Sequence, residues 1–398
     1  MNSSRYQRRV VVTGVGAVAH CGIGRDAFWD GLLHSDPGDA SRVITQFDGT
    51  TAYDNVIELR RADRFQQFAV AAAAEALSDA GELTADPART GSFIASGVGG
   101  LQTLEDQIQI RIEKGERRVS PFLVPMMMSN AAAAAVSMKF GLQGPCETTV
   151  TACAAGTHAI GNAARLIQLG LADVMVCGGS EASITSTAVA GFSNMTALSK
   201  SGWSRPFSSD RDGFVIAEAA GVLVLEELQS ALARGAHIYA EFLGSANTAD
   251  AHHITAPSPG GAGAVRCMEL ALIDAGLSAA DVRHVNAHGT STPLNDAAES
   301  EAMKKVFGSP GPIVTSTKGV TGHALGAAGG IEAVALALTI ERKLVPPTRG
   351  TSTSSVDPEV HLDLVLDEPR AWEPGPSLSN SFGFGGHNGT IVMAPFSG

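Results

Sequence analysis

The chain has 398 residues, 44% of them hydrophobic and only 17% charged, with a formal net charge of −12. That apolar fraction excludes intrinsic disorder, and the length suits two or three domain-sized units or one large double unit. The acidic balance argues against a nucleic-acid binder, which usually carries a basic surplus.

The first predicted element is a buried-type strand over 9–15, after which Gly14-Val15-Gly16 reads as the start of a turn. The polar, aperiodic stretch 36–54 follows as a surface connection, and an Ala-rich helix spans 65–80. Strands are expected at 92–95 and 148–152, a helix at 154–169, and strands at 174–177 and 222–225. The second part continues with a helix at 264–275, strands at 282–286 and 313–316, and a helix at 330–344. A Pro/Ser/Thr-rich connection over 348–357 and a last strand at 390–393 complete the series. Strands alternating with helices predict α/β layers with mostly parallel sheets.

Two echoes point to duplication. Ala76-Leu77-Ser78-Asp79-Ala80-Gly81 before one strand is matched by Ala271-Leu272-Ile273-Asp274-Ala275-Gly276 before another. Cys153-Ala-Ala-Gly156 is matched by His323-Ala-Leu-Gly326, each opening a small-residue helix.

Five cysteines (Cys21, Cys146, Cys153, Cys177 and Cys267) are scattered without a CxxC, so a disulfide scaffold is not expected and a reducing compartment is. The N-terminus shows no signal-peptide core, and the longest uncharged window, 119–138, is broken by Pro121 and Pro125. A cytoplasmic, membrane-free protein is expected.

Cys153 stands where a β-branched run meets a helix of small residues. A helix N-terminus favours thiolate, so the position suits a nucleophile; a buried small hydrophobe is the other reading. His288, in Asn286-Ala-His-Gly-Thr-Ser-Thr292, suits a strand-end loop opening onto a cleft. Lys318 and His323, in Lys-Gly-Val-Thr-Gly-His-Ala-Leu-Gly326, place a second histidine at a helix start, where its basicity falls. The segment Asn380-Ser-Phe-Gly-Phe-Gly-Gly-His387 reads as a turn with exposed amides and a bulky side chain, able to complete an oxyanion hole and gate a pocket. No metal is expected, since neither HExxH nor CxxC occurs. Gly14-x-Gly16-x-x-Ala19 lacks the acidic partner of a dinucleotide site, and there is no Gly-x-Ser-x-Gly.

Thr-Ala-Cys153, His288-Gly-Thr-Ser-Thr, Lys318-x-x-x-Gly-His323 and Asn-Ser-Phe-Gly-Phe384-Gly-Gly, in that order, resemble the β-ketoacyl-acyl carrier protein synthases, particularly the elongating type II class. The resemblance covers about residues 8 to 395. It implies a thiolase fold, two similar α/β halves in five layers, with one half at 1–238 carrying the cysteine and the other at 239–398 carrying both histidines and the Gly-Phe gate. It also implies a decarboxylating 3-oxoacyl-acyl carrier protein synthase. Cys153 would carry an acyl chain as a thioester, and malonyl-carrier protein would lose CO2 and attack it.

Under that resemblance His288 and His323 bind the malonyl thioester oxygen, and Lys318 completes the catalytic set with Glu332 supporting it. Backbone N–H groups of Cys153 and Phe384 form the oxyanion hole, while Phe384 with Phe382 gates the pocket. Thr290, Thr292 and Thr255 contact the pantetheine arm. No bound cofactor is implied, because substrates arrive on the 4'-phosphopantetheine of acyl carrier protein. A homodimer is expected, or a heterodimer with a chain-length factor in specialised metabolism. The implied role is chain elongation in fatty acid or in polyketide/polyene synthesis; His387, where many members carry threonine, and a short stretch between Phe47 and Arg60 leave the specialised role open beside the fatty-acid one. A non-decarboxylating thioester acyltransferase and a non-catalytic partner subunit are the rival readings. Carrier proteins are typically acidic, so a basic landing surface is needed on this acidic chain; family position nominates Arg60, Arg61, Arg64, Arg117 and Arg118.

Overall fold

The computed structural model describes residues 8–36, 38 and 41–398. Residues 1–7, on which the leader reading rests, and Pro37, Asp39 and Ala40 of the 36–54 connection lie outside the described residues.

The first part of the chain builds β1 (Val10–Ala19), α1 (Arg64–Ala80), β2 (Thr90–Ala95), β3 (Cys146–Glu147), α2 (Ala155–Gln168), β4 (Val174–Glu181) and β5 (Ala219–Glu227). The second builds β6 (Ala240–Ala249), α3 (Ala262–Ala275), β7 (His284–Asn286), β8 (Ile313–Thr315), α4 (Ala328–Arg342), β9 (Ser377–Gly383) and β10 (His387–Ala394). β2 lies parallel to β3 and β4, and β4–β5–β1 continue antiparallel. In the same way β7 lies parallel to β8 and β9, and β9–β10–β6 continue antiparallel. The two sheets meet where β1 pairs β6, Val10 opposite Phe242.

Side-chain alternation along the strands separates the layers. On β4, Val174 and Val176 pack outward with Phe65, Phe68, Ala72 and Ala76 of α1, while Met175 and Cys177 face inward. The inward cluster includes Ile160 and Ile167 of α2 and Val334, Leu336 and Leu338 of α4. On the far side Met268 and Leu272 of α3 cover Val285, Leu378 and Val392. The result is five layers, helix–sheet–helices–sheet–helix. Phe65 and Phe68 are fully buried, each contributing about 1.5–3 kcal/mol of transfer free energy.

Local rules explain the ends of α1. Asp63 caps it by accepting from the Phe65 amide, and Gln66 accepts from the Asp63 amide in return. It stops at Gly81, whose φ is +76°.

Three expectations need correction. The sheets are mixed, not mostly parallel, since β4–β5–β1 and β9–β10–β6 run antiparallel. β1 runs straight through Gly14 and Gly16 and does not turn there: a Cβ on them would lie 2.1 Å from Ala76 O and 2.0 Å from Ala72 O. These glycines let α1 lie against the strand. The strand expected at 148–152 is instead the short β3, because the chain leaves the sheet edge and tightens into the turn that presents Cys153.

The central helices touch backbone to backbone. A Cβ on Gly156 would sit 2.6 Å from Gly330 N, and one on Gly329 would sit 2.4 Å from Thr157 N. That seam brings the N-terminal ends of α2 and α4 side by side. Among the described residues no helix is long and apolar enough to cross a membrane.

Candidate active site

Cys153 sits in a 3-10 turn, Ala152–Ala154, leading into α2. Ala152 carries φ +50°, unusual for a residue with a Cβ, and the Ala154 amide donates to Thr151 O at 3.2 Å. The turn holds the thiol, almost fully buried, at the inner end of a cleft of about 490 Å³.

His323 occupies the corresponding place before α4. Its amide donates to Val215 O at 2.7 Å and its carbonyl accepts from Ala217 N at 3.0 Å, so its backbone is clamped on both sides. Its Nε2 lies 3.0 Å from Cys153 Sγ. Phe214 stands edge-on to the ring, centroids 5.2 Å apart, and His288 stands edge-on at 5.3 Å.

His288 follows β7. Lys318 Nζ donates to His288 O at 2.6 Å, approaches His288 Nδ1 at 3.3 Å and pairs with Glu332 Oε1. An ammonium can only donate, so it assigns Nδ1 as the acceptor and leaves the ring proton on Nε2. Lys318 and Glu332 are buried behind the two rings and do not line the cleft.

Burial dominates the protonation states. It holds both histidines well below their ordinary value, with the Lys318 charge adding to the effect, so both rings are neutral. It also pushes the Cys153 thiol up to about 11, opposed by Lys318 and by amide N–H groups of Phe384 and Cys153 itself. This corrects the thiolate expectation and keeps the lowered basicity expected of His323 while changing its cause. The resting sulfur is a thiol, because desolvation outweighs the helix end, and burial with Lys318 lowers the histidines. Glu332 is pushed up to about 7 by burial, opposed by Lys318.

The glycine-rich segment is the tight hairpin between β9 and β10. Phe382 and Phe384 both line the cleft, with Phe382 5.8 Å from the His288 ring and Phe384 6.5 Å from Phe192. Thr290, Thr292 and Thr255 line it too, and the hydroxyls of Thr290 and Thr292 lie 2.8 Å apart.

The expected docking arginines divide. Arg60, Arg61, Arg117 and Arg118 are exposed, with the Arg61 guanidinium 4.3 Å above the Phe122 ring. Arg64 is committed elsewhere: it pairs with the buried Glu218 at 2.9 Å and stacks on Phe68.

Sequence reasoning missed Glu299 and Glu181. Glu299 accepts the backbone N–H groups of His288 and Gly289, both at 2.8 Å, and burial pushes it up to about 7. Glu181 joins Gly97 N at 2.6 Å to Gly326 N at 3.2 Å, tying a loop after β2 to the turn after His323. Glu299 sits among other carboxylates that look like ordinary solvated ones, so no sequence signal marks it; Glu181 is the only charged residue between Asp173 and Lys200, the signal that could have found it.

Cys153, His288 and His323 also place a sulfur and two ring nitrogens within 4.8 Å of one another, close enough to hold a metal ion. Lys318 against His288 opposes that use and suits a thiol beside two hydrogen-bonding rings. Among the described residues Asn286 Oδ1, Ser379 Oγ and Glu332 Oε2 are each buried without a hydrogen-bond partner.

Comparison with known proteins gives this geometry its family. The model for the β-ketoacyl synthase N-terminal domain matches residues 37–231, and that for the C-terminal domain matches residues 239–352. The chain belongs to the β-ketoacyl synthase family. It is 47% identical to a Synechocystis protein named 3-oxoacyl-[acyl-carrier-protein] synthase 2, over 98% of this chain and 99% of that one. Among solved structures, the ishigamide ketosynthase/chain length factor superposes with a TM-score of 0.90 at 32% identity, covering 98% of this chain and 100% of that one. A type II polyketide ketosynthase, solved with its acyl-carrier protein and bound to a hexaketide, gives a TM-score of 0.88 at 35% identity over the same shares. The architecture is the thiolase fold, and the relatives place the chain in the elongating 3-oxoacyl-acyl carrier protein synthase class.

Proposed function

We propose that Cys153 is the residue through which this 3-oxoacyl-[acyl-carrier-protein] synthase performs its decarboxylative Claisen condensation. The single observation that carries the reading is the 3.0 Å approach of His323 Nε2 to Cys153 Sγ at the inner end of a cleft shared with His288. The N-terminal half, 1–238, supplies the nucleophile, and the half from 239 to 398 supplies both histidines and the hairpin gate.

In acyl transfer the sulfur attacks the thioester carbonyl of an acyl-carrier protein. The proton leaves toward His323 and returns to the departing pantetheine thiol. Amides of Cys153 and Phe384 stabilise the tetrahedral oxyanion. In condensation the malonyl thioester oxygen accepts hydrogen bonds from Nε2–H of both rings. The C–C bond to the carboxylate breaks, CO2 leaves, and the enolate carbon attacks the acyl carbonyl, expelling Cys153 as thiolate. Among the described residues His323 Nδ1 has no hydrogen-bond partner, so this ring can carry its proton on either nitrogen as the two stages require. Lys318, with Glu332, is a positioning residue that holds His288 in one tautomer. No resident cofactor is required, because substrates arrive on phosphopantetheine, for which Thr290, Thr292 and Thr255 line the approach.

The partner is acyl carrier protein, docking on Arg60, Arg61, Arg117 and Arg118; Arg64 is removed from this surface by its pairing with Glu218. Charge reversal at Arg60 and Arg61 that left carrier-protein affinity unchanged would refute the patch. A homodimer is the first reading of assembly. A heterodimer with a chain-length factor is the second, favoured by the likeness to the ishigamide ketosynthase/chain length factor structure; native mass spectrometry with and without such a partner separates them. The five free thiols support a reducing compartment such as the cytoplasm.

The deciding experiment incubates the enzyme with acyl- and malonyl-carrier protein and follows acyl-Cys153, CO2 and β-keto product by mass spectrometry. Condensation by Cys153→Ala would sink the mechanism. Acylation without CO2 release, with any required partner present, would favour a simple transferase.

A further inference from the structure

His158 takes no part in the chemistry above, yet it is buried on α2 five residues beyond Cys153, with both ring nitrogens engaged. Nδ1 lies 2.9 Å from Thr151 Oγ1, and Nε2 lies 3.0 Å from Asn388 O. A carbonyl can only accept, so Nε2 carries the proton and Nδ1 accepts from the Thr151 hydroxyl. Burial holds the ring below its ordinary value, with the neighbouring His387 acting in the same sense, so the neutral form persists.

The two partners belong to the two structures that form the oxyanion hole. Thr151 opens the turn that carries the Cys153 amide, and its own carbonyl holds that turn closed through Ala154 N. Asn388 lies on β10 opposite Phe382 of β9, in the hairpin that carries the Phe384 amide. The hairpin and the turn already approach closely: a Cβ on Gly383 would sit 3.0 Å from both Cys153 N and Thr151 O. At Gly389 a Cβ would sit 2.7 Å from His158 Cδ2, so the absence of a side chain there leaves room for the ring. Asn388 is itself anchored, its side-chain amide donating to Asp250 Oδ1 at 2.8 Å.

We propose that His158 is a positioning residue for acyl transfer, a two-ended strut that sets the separation of the Cys153 and Phe384 amides by joining the nucleophile turn to the gate hairpin. The inference rests on Cys153 being the acylated residue. It predicts a specific division of effects. Acyl transfer to Cys153 depends on both amides and suffers when the strut is removed. Alkylation of the same sulfur by iodoacetamide forms no oxyanion and feels the two amides only through their minor pull on the thiolate, so it changes far less than acyl transfer when the strut is removed. Malonyl decarboxylation is served by His288 and His323, whose supports (Lys318, Glu299 and the Val215–Ala217 clamp) are separate.

The test uses the full chain with any required partner, comparing wild type, His158→Ala and His158→Gln. Single-turnover acylation by acyl-carrier protein is followed by intact mass, iodoacetamide labelling of Cys153 by peptide mass, and decarboxylation by CO2 release. A slowing of acylation by about 10- to 100-fold is expected in His158→Ala, somewhat less than the loss of a whole oxyanion donor. Labelling and decarboxylation should stay within about threefold of wild type. His158→Gln offers an amide N–H to Asn388 O and a carbonyl to Thr151, so acylation should recover to within a few-fold with the pH profile unchanged. Wild-type acylation in a folded His158→Ala protein overturns the proposal. So does a parallel fall in acylation, labelling and decarboxylation, which would mark general damage, or a failure of His158→Gln to recover acylation although it melts with the wild type. Absence of acyl-Cys153 in the wild-type enzyme itself would instead defeat the assignment of Cys153.

Discussion

Carbamidomethylation of Cys153 by iodoacetamide should accelerate about tenfold for each pH unit from about pH 6 to about pH 10, with no plateau near neutrality. The reason is the burial that pushes the thiol up to about 11. A free cysteine titrates near 8.5, so at pH 7 it is about 3% thiolate, whereas Cys153 is about 0.01%, a ratio of about 300. A more basic thiolate is also a better nucleophile. With a Brønsted slope of about 0.45, that recovers a factor of about 13, leaving Cys153 about 20-fold slower than free cysteine at pH 7. Peptide-resolved mass spectrometry across the pH series, with free cysteine as the reference, measures both slope and offset. Lys318→Met should slow the reaction further, because the buried ammonium is the foremost influence pulling the thiol back down. A plateau below about pH 8.5 would refute the reasoning. The helix end and His323 would then hold a resting thiolate despite the burial.

Three further outcomes follow from the same geometry. His323→Ala should lower malonyl decarboxylation by about 10²–10³ while changing substrate binding little, because its hydrogen bond strengthens with developing charge; CO2 release against malonyl-carrier affinity measures the split. Lys318→Met should destabilise the fold by about 3–5 kcal/mol by stranding Glu332, and adding Glu332→Leu should restore most of that without restoring decarboxylation, as read by denaturant unfolding and CO2 release. His284 is fully buried with neither ring nitrogen hydrogen-bonded among the described residues, and burial pushes it down to about 3. Such a base stays neutral in the fold and charges when unfolded, so it costs stability as pH falls below about 6.5. His284→Leu should therefore lose about 2 kcal/mol less than wild type between pH 7 and pH 5, and an equal loss in urea titrations at the two pH values would reject the account.

Much of the site's gathering was legible because each group stands at the end of a strand or start of a helix, where sequence punctuation is strong. Cys153 before Ala-Ala-Gly156 and His323 before Ala-Leu-Gly326 look alike in sequence, and they occupy like places before α2 and α4. What stayed hidden depends on depth and on contacts across the chain. Gly14 and Gly16 read as turn residues, because a single sequence does not show α1 lying against them. The thiol's environment was misjudged for the same reason: a helix start is visible locally, but the removal of water by Phe214, Leu325 and Ile216 is not. Glu299 sits among Asp296 and Glu301 on one helix, and only the fold distinguishes the carboxylate that holds the His288 amide from Asp296, buried against the Phe207 and Ser291 amides, and from Glu301, which meets solvent.

The seam of glycines between α2 and α4 has a consequence for how the site responds to disturbance. Where interfaces are filled by long side chains, heat or a nearby substitution can be absorbed by a change of rotamer. Here Gly156 meets Gly330 with main chain against main chain, and Gly329 lies against the Thr157 amide and hydroxyl, so little torsional freedom is left to take up slack. The sulfur and the imidazole nitrogen each ride at the head of one of these two helices. Their spacing is thus inherited from polypeptide thickness, a dimension that varies far less than side-chain packing across a family.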